Sequence, residues 1–142
     1  MRPNITLSPK QLLVAFGAVA LGGAVGTLTR DLSLKFEHQM PFHSAHITWQ
    51  SQIPWVLLII NFLGVLVATA LMRGPLRHHD PNDPWRLLLI TGLLGGFTSY
   101  SSLLTSLASI WHLSVTAGLL VGCLAILSGV VAAWIGLRLH RP

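Results

Sequence analysis

Between Arg86 and Arg138 the chain contains no Asp, Glu, Lys or Arg. A single helix over that interval would be about 75 Å long, more than twice the hydrocarbon thickness of a bilayer. The run must therefore fold back on itself inside a membrane. Trp111-His112 is the available turn, with Ser114 as the N-cap of the helix that follows. This predicts a third span over 87–110 and a fourth over 113–137.

The rest of the chain fits the same solution. Of its 142 residues 52% are hydrophobic and only 9% charged, where a soluble domain carries about 25% charged residues. The expectation is an all-α integral membrane protein, a single four-span domain over 1–142. A first span over 12–30 ends at Arg30 and contains the small-xxx-small pair Gly22 and Gly26. Ala18-Val19-Ala20 mimics a signal-peptide cleavage site, but the apolar run continues past it. A second span over 53–72 opens with Pro54 in its first turn and Trp49 and Trp55 at the interface. Asn61 falls near the middle of that span, as either helix–helix glue or a pore-lining donor.

The connections exclude several kinds of chemistry. His38, His43 and His46 lie in the polar segment 30–51, at spacings that match no zinc pattern, so they read as surface histidines. Cys123 is the single cysteine, so neither an intramolecular disulfide nor a CxxC site exists. The net charge of +5 comes without a basic run, which argues against nucleic acid. No nucleophile–base pair, intramembrane acid or metal cluster suggests an enzyme.

Within the charge-free run, residues 91–106 combine Gly92, Gly95 and Gly96 with a series of hydroxyls. Glycine leaves helical dihedrals at little cost, so a break of the third helix is expected at Gly95-Gly96. Thr98, Ser101, Ser102, Thr105 and Ser109 would share one face at a 3.6-residue period. Two readings stand: packing glue between spans, or an ion site built on freed carbonyls and N–H groups.

Four spans put both termini on one side. That side would carry Arg2, Lys10, Arg73, Arg77, Arg86, Arg138 and Arg141, against Arg30 and Lys35 opposite. The positive-inside rule then places the termini in the cytoplasm of a cell whose plasma membrane holds the chain.

Three motifs resemble one family. Gly22-Gly23-Ala-Val-Gly26-Thr-Leu-Thr-Arg30 is similar to GGxxGAxxR, and Asn61-Phe-Leu-Gly64 to NxxG. Gly92-Leu-Leu-Gly95-Gly96-Phe-Thr98-Ser-Tyr100-Ser101-Ser102-Leu103 resembles GfxGGxTTFSTF. Together, in this order and on these spans, they identify the chain as resembling the bacterial Fluc (CrcB) fluoride channels. The resemblance implies an antiparallel dimer with two fluoride pores, through which fluoride leaves the cytoplasm. It also implies a structural, untransported sodium ion at the dimer centre, held by main-chain carbonyls that map to Gly95 and Thr98. The pore asparagine maps to Asn61, the vestibule arginine to Arg30, and the fluoride-facing aromatic positions to Tyr100 and Leu103. Ser101 and Ser102 join the anion path as hydroxyl donors.

The chemistry suits fluoride. A small, strongly hydrated anion needs donors in place of its water and no fixed charge deep enough to trap it. An aromatic ring edge carries the positive part of the quadrupole and can also face an anion. Oxygen from carbonyls suits a hard cation such as sodium.

Leu103 departs from the family pattern, since it has no aromatic edge, and Tyr100 adds a phenol. With the one-sided charge bias, this chain reads like one half of a pair of unlike subunits in opposite orientations. The alternatives are a weakly or non-conducting partner subunit and a small multidrug-type transporter. The latter needs an intramembrane carboxylate, and Asp31, Glu37, Asp80 and Asp83 are all expected at span ends or in loops.

Overall fold

A computed structural model describes residues 8–38 and 50–139, and every regular element among them is helical. Four helical segments are long and apolar enough to cross a membrane: Pro9–Phe36, Trp55–Arg73, Pro84–Leu113 and Val115–Arg138. We label the helices α1 (Pro9–His38), α2 (Trp55–Arg73), α3 (84–97), α4 (Tyr100–Leu113) and α5 (Val115–Arg138). A short 3-10 turn, Gln50–Gln52, precedes α2. His43 and His46 lie outside the described residues.

Four spans are expected and four are present; the helices of the first and third run past the expected bounds at both ends, while α2 and α5 each start two residues later and end one residue later than expected. Ser114 caps α5 as expected, accepting the Ala117 N–H at 3.3 Å. The largest difference is in α1, which runs on to His38. Arg30 and Asp31 therefore lie inside the helix and not at its end. They pair with one another at 3.2 Å, which lowers the cost of carrying both charges on one helix. Asp31 thus lies on the helix that carries the first span, half-exposed beside Arg30, where the uncharged stretch of that helix ends.

Glycine decides how α1 meets α3. A Cβ on Gly22 would strike the Leu88 carbonyl and Gly92, and one on Gly26 would strike the Leu93 carbonyl and the Phe97 N–H. Gly92 and Gly96 answer from the other side, against Gly22 and Gly23. The contacts advance together along both chains, so α1 and α3 run parallel with their backbones touching. Such close approach is what small residues permit when lipid is as apolar as leucine. Residues Leu87–Leu94 of α3 are π-helical, a widened turn that is rare and concentrated at functional sites.

The second pair is α2 with α5, also parallel. Gly136 seats against Thr69 and Leu66, while nearer the other end Leu58 and Phe62 share a groove with Leu124 and Ser128. Helix α4 packs on α5 around Ile110, which is fully buried with Ala117 and Val121. Most large apolar side chains, Leu13, Phe16, Leu120 and Ile126 among them, point outward, as lipid or a protein partner would require.

Candidate functional site

The third span is interrupted at Thr98-Ser99. Both residues are extended, Thr98 at φ −78°, ψ 139° and Ser99 at φ −137°, ψ 101°. Gly95 keeps helical dihedrals of −64° and −38°, and Gly95–Phe97 form a helical turn. The interruption is therefore not at Gly95-Gly96, where glycine content placed it. Gly96 supplies space for Gly23, and conformational freedom is not its role.

Two motifs on other helices hold the interruption. Asn61 Oδ1 accepts the Ser99 N–H at 3.0 Å. One turn further along α2, Gly64 leaves room for the Thr98 methyl group, which any Cβ there would overlap. Asn61 and Gly64 thus serve the same two residues. The spacing NxxG is one helical turn, which puts both on the face turned toward α3.

Ser99 is the centre of the site, at 5% exposure. Its Oγ accepts the Ser102 N–H at 3.2 Å, capping α4, and donates to Ser102 Oγ at 2.7 Å. Ser101 Oγ lies 3.4 Å from the same atom. These bonds have a consequence for the carbonyls before the interruption. In a continuous helix the Ser99 N–H would reach the Gly95 carbonyl and the Ser102 N–H would reach the Thr98 carbonyl. Both donors are diverted, to Asn61 and to Ser99 Oγ. The Gly95 and Thr98 carbonyls thus lose their regular helical donors, and so do those of Gly96 and Phe97, because a helix capped at Ser99 leaves the Tyr100 and Ser101 N–H groups outside the ladder.

The remaining expected residues divide into two groups. Ser101 and Thr105 are exposed along α4 with Ser109. Their hydroxyls rest on the helix's own backbone, Thr105 Oγ1 on the Ser101 carbonyl at 3.1 Å and Ser109 Oγ on the Thr105 carbonyl at 3.3 Å. Tyr100 stands outward at 68% exposure. Leu103 does not join them: it is buried within the chain's own packing. Arg30 donates to Asp31 Oδ1 from its Nε and a terminal nitrogen, at 3.3 and 3.2 Å.

Sequence reasoning assigned no role to Ser99 or Gly64. Ser99 carried a signal, a hydroxyl residue three before Ser102 at the start of an apolar helix, which is the pattern of an N-cap. Gly64 carried none apart from its motif, because its role is set by a methyl group on another span.

Residues 17–137 match the family described as CrcB-like protein, camphor resistance (CrcB). The chain is 31% identical over 124 residues to a fluoride-specific ion channel FluC of Chelativorans sp. (strain BNC1), covering 87% of this chain and 93% of that one. It is 35% identical over 131 residues to a protein of the same name from Hyphomonas neptunium, covering 89% and 94%. A third of that name, from Dichelobacter nodosus, is 27% identical over 129 residues, covering 91% and 98%. With its four apolar spans and a family match across all of them, the chain is a multi-pass bacterial membrane protein that belongs to the CrcB (Fluc) family.

Proposed function

We propose that this chain is a subunit of a fluoride-specific channel that lets fluoride leave the cytoplasm. The observation that carries the proposal is the orientation of Asn61. Its Oδ1 accepts the Ser99 N–H, so the amide's two N–H donors are left for a group other than the interruption. Donors without formal charge are what a strongly hydrated anion needs to shed water and still move on. The α4 hydroxyls extend the same chemistry. Each O–H of Thr105 and Ser109 rests on a backbone carbonyl and can rotate to an anion when one arrives.

A structural sodium ion fits the residues present. Gly95 and Thr98 offer carbonyl oxygens whose helical donors are diverted, and oxygen is the ligand type a hard cation prefers. Gly95 is exposed, so a second chain can complete the set. The ion would supply fixed positive charge at the subunit contact. Ser99 and Asn61 set the backbone that faces it.

The assembly is an antiparallel dimer, with both termini of this chain in the cytoplasm. Leu103 favours an unlike partner. It is buried and has no ring, so the second aromatic edge beside Tyr100 comes from the other chain. The seven-to-two bias of Lys and Arg likewise fits one fixed orientation. Such a dimer is expected to conduct well through one pore and weakly through the other.

Proteoliposomes loaded with fluoride or chloride test this reading. Fluoride efflux from the chain, alone or with an unlike family subunit, and no chloride efflux, is the expected result. Equal loss of both ions, or of neither, would refute it.

A further inference from the structure

The geometry points to His112 as the residue that recruits the anion at the outer mouth of the α4 hydroxyl face. The inference rests on reading that face as part of the anion's route. Between Arg86 and Arg138, His112 is the one side chain able to carry a positive charge. It lies on the same exposed face of α4 as the hydroxyls. Ser101, Thr105, Ala108 and His112 follow at steps of four, three and four residues, and all four are exposed. The hydroxyl line that starts beside the Asn61–Ser99 contact therefore ends at an imidazole.

Among the described residues, no carboxylate on an element packed against α4 matches that charge. His112 stands in the last turn of α4, where unpaired carbonyls favour a cation. It edges a groove between α4 and α5 lined by Leu104, Ala108, Trp111, Leu119 and Cys123. Among the described residues, three kinds of element pack against α4. Helix α5 brings Cys123 and, at its far end, Arg138. Helix α2 brings only Arg73, also at the far end. The Gln50–Gln52 turn brings no titratable group. No carboxylate faces His112 from these elements. Arg30, the vestibule cation of the resemblance, is different, because Asp31 already neutralises it at 3.2 Å. Arg30 and His112 lie toward the same membrane face, since α1 and α3 run parallel and α4 continues α3.

The consequence is a mouth whose attraction for an anion depends on protonation. Histidine changes charge between about pH 5 and 8. A charge at the mouth raises the local anion concentration without placing a trap deep in the path.

The test measures fluoride efflux from proteoliposomes at about pH 7.5 and about pH 6, with leak from protein-free vesicles subtracted at each pH. Wild type is expected to run about two- to threefold faster at the lower pH, the size set by one unit charge acting through water at the mouth. His112→Gln should hold the slower rate at both pH values, and His112→Arg the faster rate at both. His78→Gln with His79→Gln, in the loop at the opposite end, should leave the wild-type pH response intact. Monodisperse elution of each variant confirms folding, since His112 is exposed. A pH response that survives in His112→Gln, equal rates in the Gln and Arg variants, or a response abolished by the His78 and His79 changes would each overturn the role of His112 alone. Absence of fluoride efflux from every chain at both pH values, with or without a partner subunit, would overturn the route itself and His112 with it.

Discussion

The Ser99 N–H donates to Asn61 Oδ1 at 3.0 Å, joining residues 38 apart in sequence on two different spans. This bond ties the interruption of the third span to the middle of the second. It also fixes which way the asparagine amide faces, since a backbone N–H can only donate. Replacing Asn61 by Leu leaves the Ser99 N–H without a partner at a nearly buried position. We expect a loss of about 1–3 kcal/mol in stability, seen as a lower unfolding temperature in detergent. An unchanged unfolding temperature would show that another group readily satisfies Ser99.

The contact between Gly64 and Thr98 is a matter of space and can be tested by compensation. Gly64→Ala places a methyl group on the Thr98 methyl and should destabilise the protein by about 1–3 kcal/mol. Thr98→Ser removes that methyl yet keeps the hydroxyl that donates to the Leu94 carbonyl at 2.9 Å. Alone it should be close to neutral. Combined with Gly64→Ala it should restore much of the lost stability, and additive losses in the double variant would contradict the packing described.

Glycines in the α1–α3 seam should behave unlike glycines elsewhere. Gly26→Ala and Gly96→Ala push a methyl group into backbone atoms, which cannot move aside as a side chain end can. Both should impair assembly or folding in fluorescence-detected size exclusion. Gly17→Ala and Gly129→Ala meet nothing within 4 Å in the chain and should fold normally. If all four behave alike, the seam is not the constraint.

Sodium binding predicts a cation-specific response. Replacing sodium by potassium or a large organic cation in the purification buffer should lower the unfolding temperature. The effect should vanish when Ser99→Ala removes the cap that diverts the Ser102 N–H from the Thr98 carbonyl. Equal stability of the wild-type protein in all three cations would argue against a sodium ion at these carbonyls.

How far the sequence could be read follows from the kind of physics at each place. The four spans were legible because exclusion of charge over a bilayer's thickness leaves a signal in single residues. Ser114 was legible as a cap for a similar reason, since its bond is local. The position of the interruption was not. Gly95-Gly96 resembles a hinge by composition, but Gly96 is a packing glycine whose partner, Gly23, is far away in sequence. Only the placement of the first span distinguishes the two roles. That α1 runs on as a helix past Arg30 was not legible for a related reason: a charged pair such as Arg30–Asp31 marks the end of an uncharged stretch without ending the helix that carries it. Leu103 could be placed on a helix, but not on its buried side, without knowing where α2 and α5 lie.

The most direct test of the account is fluoride efflux through Asn61→Asp in proteoliposomes, measured beside its unfolding temperature. A carboxylate oxygen can still accept the Ser99 N–H, so the interruption should hold and stability should stay near wild type. The two amide donors are gone, and negative charge stands in their place, so fluoride efflux should fall at least about tenfold, to near the protein-free leak. Wild-type efflux in a folded Asn61→Asp protein would contradict the claim that the Asn61 amide, oriented by Ser99, faces the passing anion.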